Sequence, residues 1–276
     1  MTDTTDPRAP MRVRHPLKFR NAEVASVTRL SEHMIRIVLR HDDLKDFVSS
    51  GFDDHVKVFF PDPQTGIIHT PTVGPDGAPV RDPNLTIIAR DYTPRAFDNE
   101  TGELTLDFAV HDAGPATQWA QNAKVGDVLG VGGPRGSFVI PLAFDGYVLI
   151  GDDTALPAIA RRLTEIGPDA PVLVVAEVDG PESEVDLNGS ANVRLHWAHR
   201  NGQKPGNPAI LSDALKALQL PEGDLHVWVA AESGVARHLR GQLLETGRVN
   251  PKWLKVASYW KTGQVATHET IDDKPA

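Results

Sequence analysis

The segment Ile87–Asp98, IIARDYTPRAFD, gathers Arg90, Tyr92, Thr93 and Arg95 within a few positions. A guanidinium offers a fork of donors to a phosphate. A phenol offers a flat face and a hydroxyl, and threonine adds a second hydroxyl. Together they suit a flat, phosphorylated ligand such as a flavin nucleotide. In that reading Arg90 takes the phosphate, Tyr92 packs on ring or ribose, and Thr93 meets the polar edge of the isoalloxazine. Equally, the residues could decorate an edge strand, with a surface arginine and a half-buried tyrosine. A second segment, His111–Ala120 (HDAGPATQWA), turns through Gly114 and Pro115 into a short helix. Free amides at a helix start, with the Thr117 hydroxyl, form a site for a pyrophosphate; the alternative is a capped connection with Trp119 in the core. A third, Gly132–Phe138 (GGPRGSF), holds Arg135 between glycines that allow close backbone approach, or is a hairpin with an exposed arginine.

Later residues suit a dinucleotide site less directly. Leu149–Leu163, LIGDDTALPAIARRL, has the strand–turn–helix order of a dinucleotide-binding crossover without its glycine-rich fingerprint. Asp152 and Asp153 would repel a pyrophosphate overhead. Thr154 and the amides after it could carry the contact instead, and DDT before an apolar helix is also a capping signal. Glu177, near the end of VLVVAEV, could accept from an adenosine ribose hydroxyl and so favour NADH over NADPH. VWVAAESG places Glu232 and Ser233 at a strand-to-helix turn, and ASYWKTG ends with Tyr259, Trp260 and Lys261.

The elements that must position these groups change character along the chain. Leu85–Arg90 alternates with period two, so Arg90 and Tyr92 fall on one face, Asp91 and Thr93 on the other, and Pro94 ends the pairing. Up to about Pro141, short alternating runs separated by turn residues predict an antiparallel barrel. Beyond it, apolar runs alternate with helical spacing and predict a Rossmann-like parallel sheet. The expected division is a mobile segment 1–18, a β-barrel domain 19–143, an α/β domain 144–266 and a flexible tail 267–276. Ligands of an open parallel sheet bind outside its carboxyl edge, so a cleft against the barrel is expected to hold a cofactor.

The formal charge of −9 argues against a general nucleic-acid binder, and any anion site must be a local basic patch. The absence of cysteine removes disulfides, thiolate metal sites and cysteine nucleophiles. The polar, proline-broken N-terminus has no apolar signal core, and no segment reaches the roughly 20 apolar residues of a membrane span. A cytoplasmic protein without membrane insertion is expected.

In this order, RDYTPRAFD, HDAGPATQWA, VGGPRGSF, IGDDTALPAIARRL, VWVAAESG and ASYWKTG resemble the siderophore-interacting proteins. These are FAD-binding ferric-siderophore reductases related to ferredoxin–NADP reductases. The resemblance runs from about Phe19 to Val265. It implies a six-stranded antiparallel β-barrel binding FAD, followed by an NAD(P)H-binding α/β domain. NAD(P)H would reduce the flavin, and the flavin would reduce a siderophore's Fe(III). Arg90, Tyr92 and Thr93 match the family's flavin-binding strand, and His111, Gly114, Ala116 and Thr117 match its pyrophosphate loop. Lys57, Arg135 and Lys261 match its basic residues for an anionic ferric siderophore, and no protein metal site is implied. Pro94, after RDYT, departs from the pattern. A monomer is expected. Two alternatives share the fold: a general flavin reductase or ferredoxin-type electron-transfer enzyme, and a flavin-containing siderophore-binding module with little nicotinamide turnover.

Overall fold

The computed structural model describes residues 6–110, 114–187, 192–264 and 269–271. The chain divides into two units, one spanning Ala9–Ile140 and one formed from Pro141 onward together with the N-terminal residues through Arg8.

In the first unit the strands are β1 (Met11–Arg14), β2 (Phe19–Ser31), β3 (Met34–Arg40), β4 (Val56–Phe60), β5 (Thr72–Val73), β6 (Pro79–Val80), β7 (Ile88–Tyr92), β8 (Ala96–Asp98), β9 (Glu103–Ala109), β10 (Val128–Gly132) and β11 (Gly136–Val139), with one helix, α1 (Pro115–Asn122). Seven of the strands form an antiparallel sheet in the order β7-β4-β10-β2-β3-β9-β8. Six of these have five residues or more, and β8 adds a three-residue edge. Register places like with like: Ile35, Ile37 and Leu39 face Phe108, Leu106 and Leu104 across β3 and β9, and all six are buried. Period-two alternation therefore builds one apolar face. The sheet curls, because Tyr92 on edge strand β7 packs its ring 4.2 Å (centroid to centroid) from Phe108 on β9. Helix α1 closes this core with Ala116 and Ala120 buried and with Trp119 against Phe60 and Phe108.

Strand β1 pairs with β11, whose Gly136 is required: a Cβ there would lie 2.6 Å from Val13 O. Arg8, in the second unit, pairs with Asp224 at 3.0 Å and donates to Ala143 O at 2.9 Å. The described part of the segment expected to be mobile is thus tied down, by backbone pairing that a four-residue charged strand scarcely advertises.

The second unit contains β12 (Gly146–Gly151), α2 (Leu156–Glu165), β13 (Val172–Val178), β14 (Val193–His199), α3 (Pro208–Lys216), β15 (Leu225–Glu232), α4 (Ser233–Glu245), β16 (Leu254–Trp260) and β17 (Glu269–Thr270). The sheet order is β14-β13-β12-β15-β16-β17. The first five strands are parallel, and β17 is antiparallel to β16 inside the expected flexible tail. β12, β13 and β15 are buried along their whole length, as expected of central strands covered on both faces. The chain winds from β12 to β14 one way and resumes at β15 on the other side, so the topological switch lies between β12 and β15.

Candidate functional site

β7 begins at Ile88, later than the alternation suggests, yet the face assignment is as expected. Ile88, Arg90 and Tyr92 lie opposite Phe60, Val58 and Val56 of β4, and Ile88 and Tyr92 pack on the core. Among the described residues Arg90 uses one donor, on Ala89 O at 2.8 Å, leaving most of its fork for an acceptor. Burial raises the Tyr92 hydroxyl above the ordinary phenol range, with Arg90 acting weakly the other way. The hydroxyl therefore remains a donor. Thr93, 7% exposed, follows the strand. Arg95 turns inward, 8% exposed, and its amide donates to Thr105 O, so Pro94 directs the chain onto β9.

Helix α1 begins beside this strand end, since Tyr92 and Trp119 share the rings of Phe60 and Phe108 as neighbours. Gly114 is an extended N-cap without a side-chain bond, and Pro115 has no N–H. The first closed bond is Gln118 N–H to Gly114 O at 2.9 Å, which leaves the amides of Ala116 and Thr117 as first-turn donors. No heavy atom among the described residues stands within 4 Å of a Gly114 Cβ position, so the helix start is open to close approach. The collected groups of Arg90, Tyr92, Thr93, Ala116 and Thr117 are donors. They fit the pyrophosphate and polar ring edge of FAD. His111 lies outside the described residues.

The three expected cations differ. Lys57 on β4 faces Asp91 on β7, with Nζ 2.7 and 2.8 Å from the two carboxylate oxygens. It is one half of an ion pair. Arg135 in the first unit and Lys261 in the second are exposed.

The carboxyl edge of the parallel sheet is acidic and internally bonded. Asp152, after β12, accepts at Oδ1 from the Thr154 amide at 3.0 Å and from its hydroxyl. Its Oδ2 accepts from Glu232 N at 3.0 Å and Trp260 Nε1 at 2.8 Å. Asp153 pairs with Arg200 at 2.9 Å, and Glu177 pairs with the same guanidinium at 3.4 Å. Glu177 is 1% exposed; burial first, then Asp152, push its carboxyl up to about 8 against the attraction of Arg200. Glu232 accepts at Oε2 from Gly234 and Val235 amides, and at Oε1 from Thr262 N at 3.1 Å. The capping expected of Asp152–Thr154 is present, Glu232 caps α4, and Glu177, expected to meet a ribose, is buried against Arg200. The lean towards NADH rested on Glu177 and loses its support. Arg200 and Trp260, which tie this edge together, had no local signal as partners of Asp153 and Asp152.

Comparison with known proteins gives a consistent result. Residues 23–138 match the model of the siderophore-interacting FAD-binding domain, and residues 144–263 match that of the siderophore-interacting protein. The chain is 36% identical over 255 residues to an NADPH-dependent ferric-chelate reductase of Escherichia coli, covering 92% of this chain and 97% of the relative. It is 31% identical to ferric vibriobactin reductase ViuB of Vibrio cholerae, covering 87% and 89%. Among solved structures, a siderophore utilization protein from T. fusca superposes with a TM-score of 0.88 at 39% identity, covering 94% and 98%. Ferredoxin–NADP+ reductase from Plasmodium falciparum shares the fold at 13% identity and a TM-score of 0.59, covering 83% and 94%.

Proposed function

This chain belongs to the siderophore-interacting protein family, and from that premise we propose that it is an oxidoreductase that carries electrons from NAD(P)H through FAD to the Fe(III) of a siderophore. The observation that carries the reading is the set of donors on β7 and α1 that no described residue opposes, inside the stretch that matches an FAD-binding domain. Bound FAD would take two electrons from the donor and pass them singly to iron. Arg90 and the amides of Ala116 and Thr117 would hold the pyrophosphate, and Tyr92 and Thr93 would hydrogen-bond the isoalloxazine edge or ribose. The aromatic cluster of Phe60, Tyr92, Phe108 and Trp119 keeps these donors in place and excludes water beneath them. Arg135 and Lys261 would attract an anionic ferric chelate to a protein of net charge −9. Fe(III) is the hard ion that siderophore oxygens hold best, so its reduction releases iron without a protein ligand.

No described helix is long and apolar enough to cross a membrane; we take the protein to act in the cytoplasm and its working unit to be a monomer. The experiment is anaerobic spectroscopy of the purified yellow protein. NADH or NADPH bleaches the flavin band, and a ferric siderophore restores it while Fe(II) appears with a ferrous trap. A flavin that ferric siderophore leaves reduced overturns the proposal.

A further inference from the structure

In the first unit, β1 and β11 form a two-stranded ribbon with a cationic face. They pair antiparallel, with Arg12 opposite Phe138 and Arg14 opposite Gly136. Directly opposed residues share a face, so these four lie together. Both arginines are exposed. The Arg12 guanidinium stands 5.6 Å from the centroid of the Phe138 ring, within cation–π range. Gly136 has no side chain with which to cover Arg14. Where the ribbon ends, the His15 amide donates to Arg135 O at 3.0 Å, which brings the exposed Arg135 alongside. Among the described residues Arg12, Arg14 and Arg135 form no ion pair, whereas Lys18 and Arg20, further along, share Asp46.

A ribbon of two strands holds its shape poorly alone, and the protein pins this one through its other face. Ser137 is buried there. Its hydroxyl donates to Asp54 Oδ2 at 2.5 Å, and its oxygen meets His15 Nε2 at 2.7 Å and the Ser50 amide at 3.0 Å. Asp54 Oδ2 also accepts from Ser49 Oγ at 2.8 Å and from Gly51 N at 3.0 Å. The buried guanidinium of Arg20 donates to Asp43 O and to Asp46 at 2.8 Å, and to Gly133 O at 3.4 Å. That last bond holds the turn ahead of Arg135. The backbone carrying the three cations is therefore fixed before a ligand arrives, which lowers the ordering cost of binding.

A guanidinium stacked on one ring keeps its second face for another flat group and its edge for an anionic oxygen. A catecholate supplies both, a ring and a charge. Ferric tris-catecholate is triply negative and rimmed with aromatic rings, whereas ferric tris-hydroxamate is uncharged and has none. We propose, resting on the siderophore-reductase reading above, that the β1–β11 ribbon is a docking surface for catecholate chelates. Arg12 and Arg14 join Arg135 there, and the stack of Arg12 on Phe138 sets the preference for aryl anions over hydroxamates.

The test uses the full-length flavoprotein with gallium(III) chelates, which match the ferric ones in shape and charge and accept no electron. Calorimetric titration compares gallium tris-catecholate, gallium citrate and an uncharged gallium tris-hydroxamate at low and high salt. Arg12→Ala combined with Arg14→Ala should weaken the tris-catecholate by about tenfold at low salt. The loss should shrink at high salt, and hydroxamate affinity should move by less than about twofold. Arg12→Lys keeps the charge and gives up the planar stack. It should weaken the catecholate by about threefold and leave the citrate chelate unchanged. Flavin-to-protein absorbance and the urea midpoint check that each variant is folded. Equal catecholate affinity in parent and double variant overturns the inference and leaves the reductase proposal standing. So does a loss that catecholate and hydroxamate share, or an Arg12→Lys loss that citrate shares. A parent that binds none of the three chelates overturns both the inference and the siderophore reading it rests on.

Discussion

Lys57 and Asp91 face each other across β4 and β7, with the ammonium 2.7 and 2.8 Å from the two carboxylate oxygens. The lysine side chain is 40% exposed and the carboxylate 18%, so the pair is screened and its worth is modest, roughly 0.5–1 kcal/mol. Its effect on an anionic ligand is larger in kind, because the pair has no net charge. Asp91→Asn should tighten binding of an anionic ferric chelate by a few-fold at low salt and steepen its salt dependence. Lys57→Ala should weaken it by a similar factor. Titrating chelate fluorescence against each variant at two ionic strengths measures both, and unchanged affinity in both removes the pair from the site.

Arg90 and Tyr92 allow packing and ligand binding to be separated. Arg90→Ala should yield a folded but colourless protein, read from the ratio of flavin to protein absorbance after purification. Tyr92→Phe keeps the ring against Phe108 and loses only the hydroxyl, at about 1 kcal/mol of FAD affinity. Tyr92→Ala opens the aromatic cluster and should lower unfolding free energy by about 3–5 kcal/mol in urea.

His226, at the start of β15, is 2% exposed, and neither ring nitrogen has a hydrogen-bond partner among the described residues. Burial first, then Arg162 and Lys255, press its protonation down to about 3. Between that value and the ordinary one near 6.5 the unfolded chain binds a proton that the folded chain does not. Stability should therefore fall as pH drops through this window, by up to about 1.4 kcal/mol per unit. His226→Phe, set among Phe144 and Tyr147, should flatten that slope in urea midpoints taken at pH 7 and pH 5. An unchanged slope would mean His226 does not control it.

Glu177 works in the opposite sense. With its carboxyl pushed up to about 8, the folded chain holds a proton that the unfolded chain loses above about 4.5. Its contribution is complete below that pH and is lost as pH rises through 8. Glu177→Gln mimics the protonated form, so its unfolding free energy should hold up better than the parent's between pH 6 and 9.

Much of this molecule is legible locally. Alternation between short runs and turn residues marks the first unit as antiparallel sheet, and the change near Pro141 marks the second as parallel with crossovers. The extended N-cap Gly114 followed by Pro115 starts α1 where local sequence says it should. Period two puts Arg90 with Tyr92, and β7 obeys it from Ile88 to Tyr92 even though it begins late. These features depend on contacts within a few residues, which any reader of the chain can count.

Only the tertiary structure decides which charges cancel. Lys57 meets Asp91 from 34 residues away, and Asp152 takes the Trp260 indole from 108 residues away. Arg200 becomes the partner of Asp153 and Glu177 because β12, β13 and β14 lie side by side. Strand order and register set these distances, and neither is written in local spacing. Residue type therefore shows that a carboxylate or an ammonium is present, while the fold determines whether a ligand ever meets it.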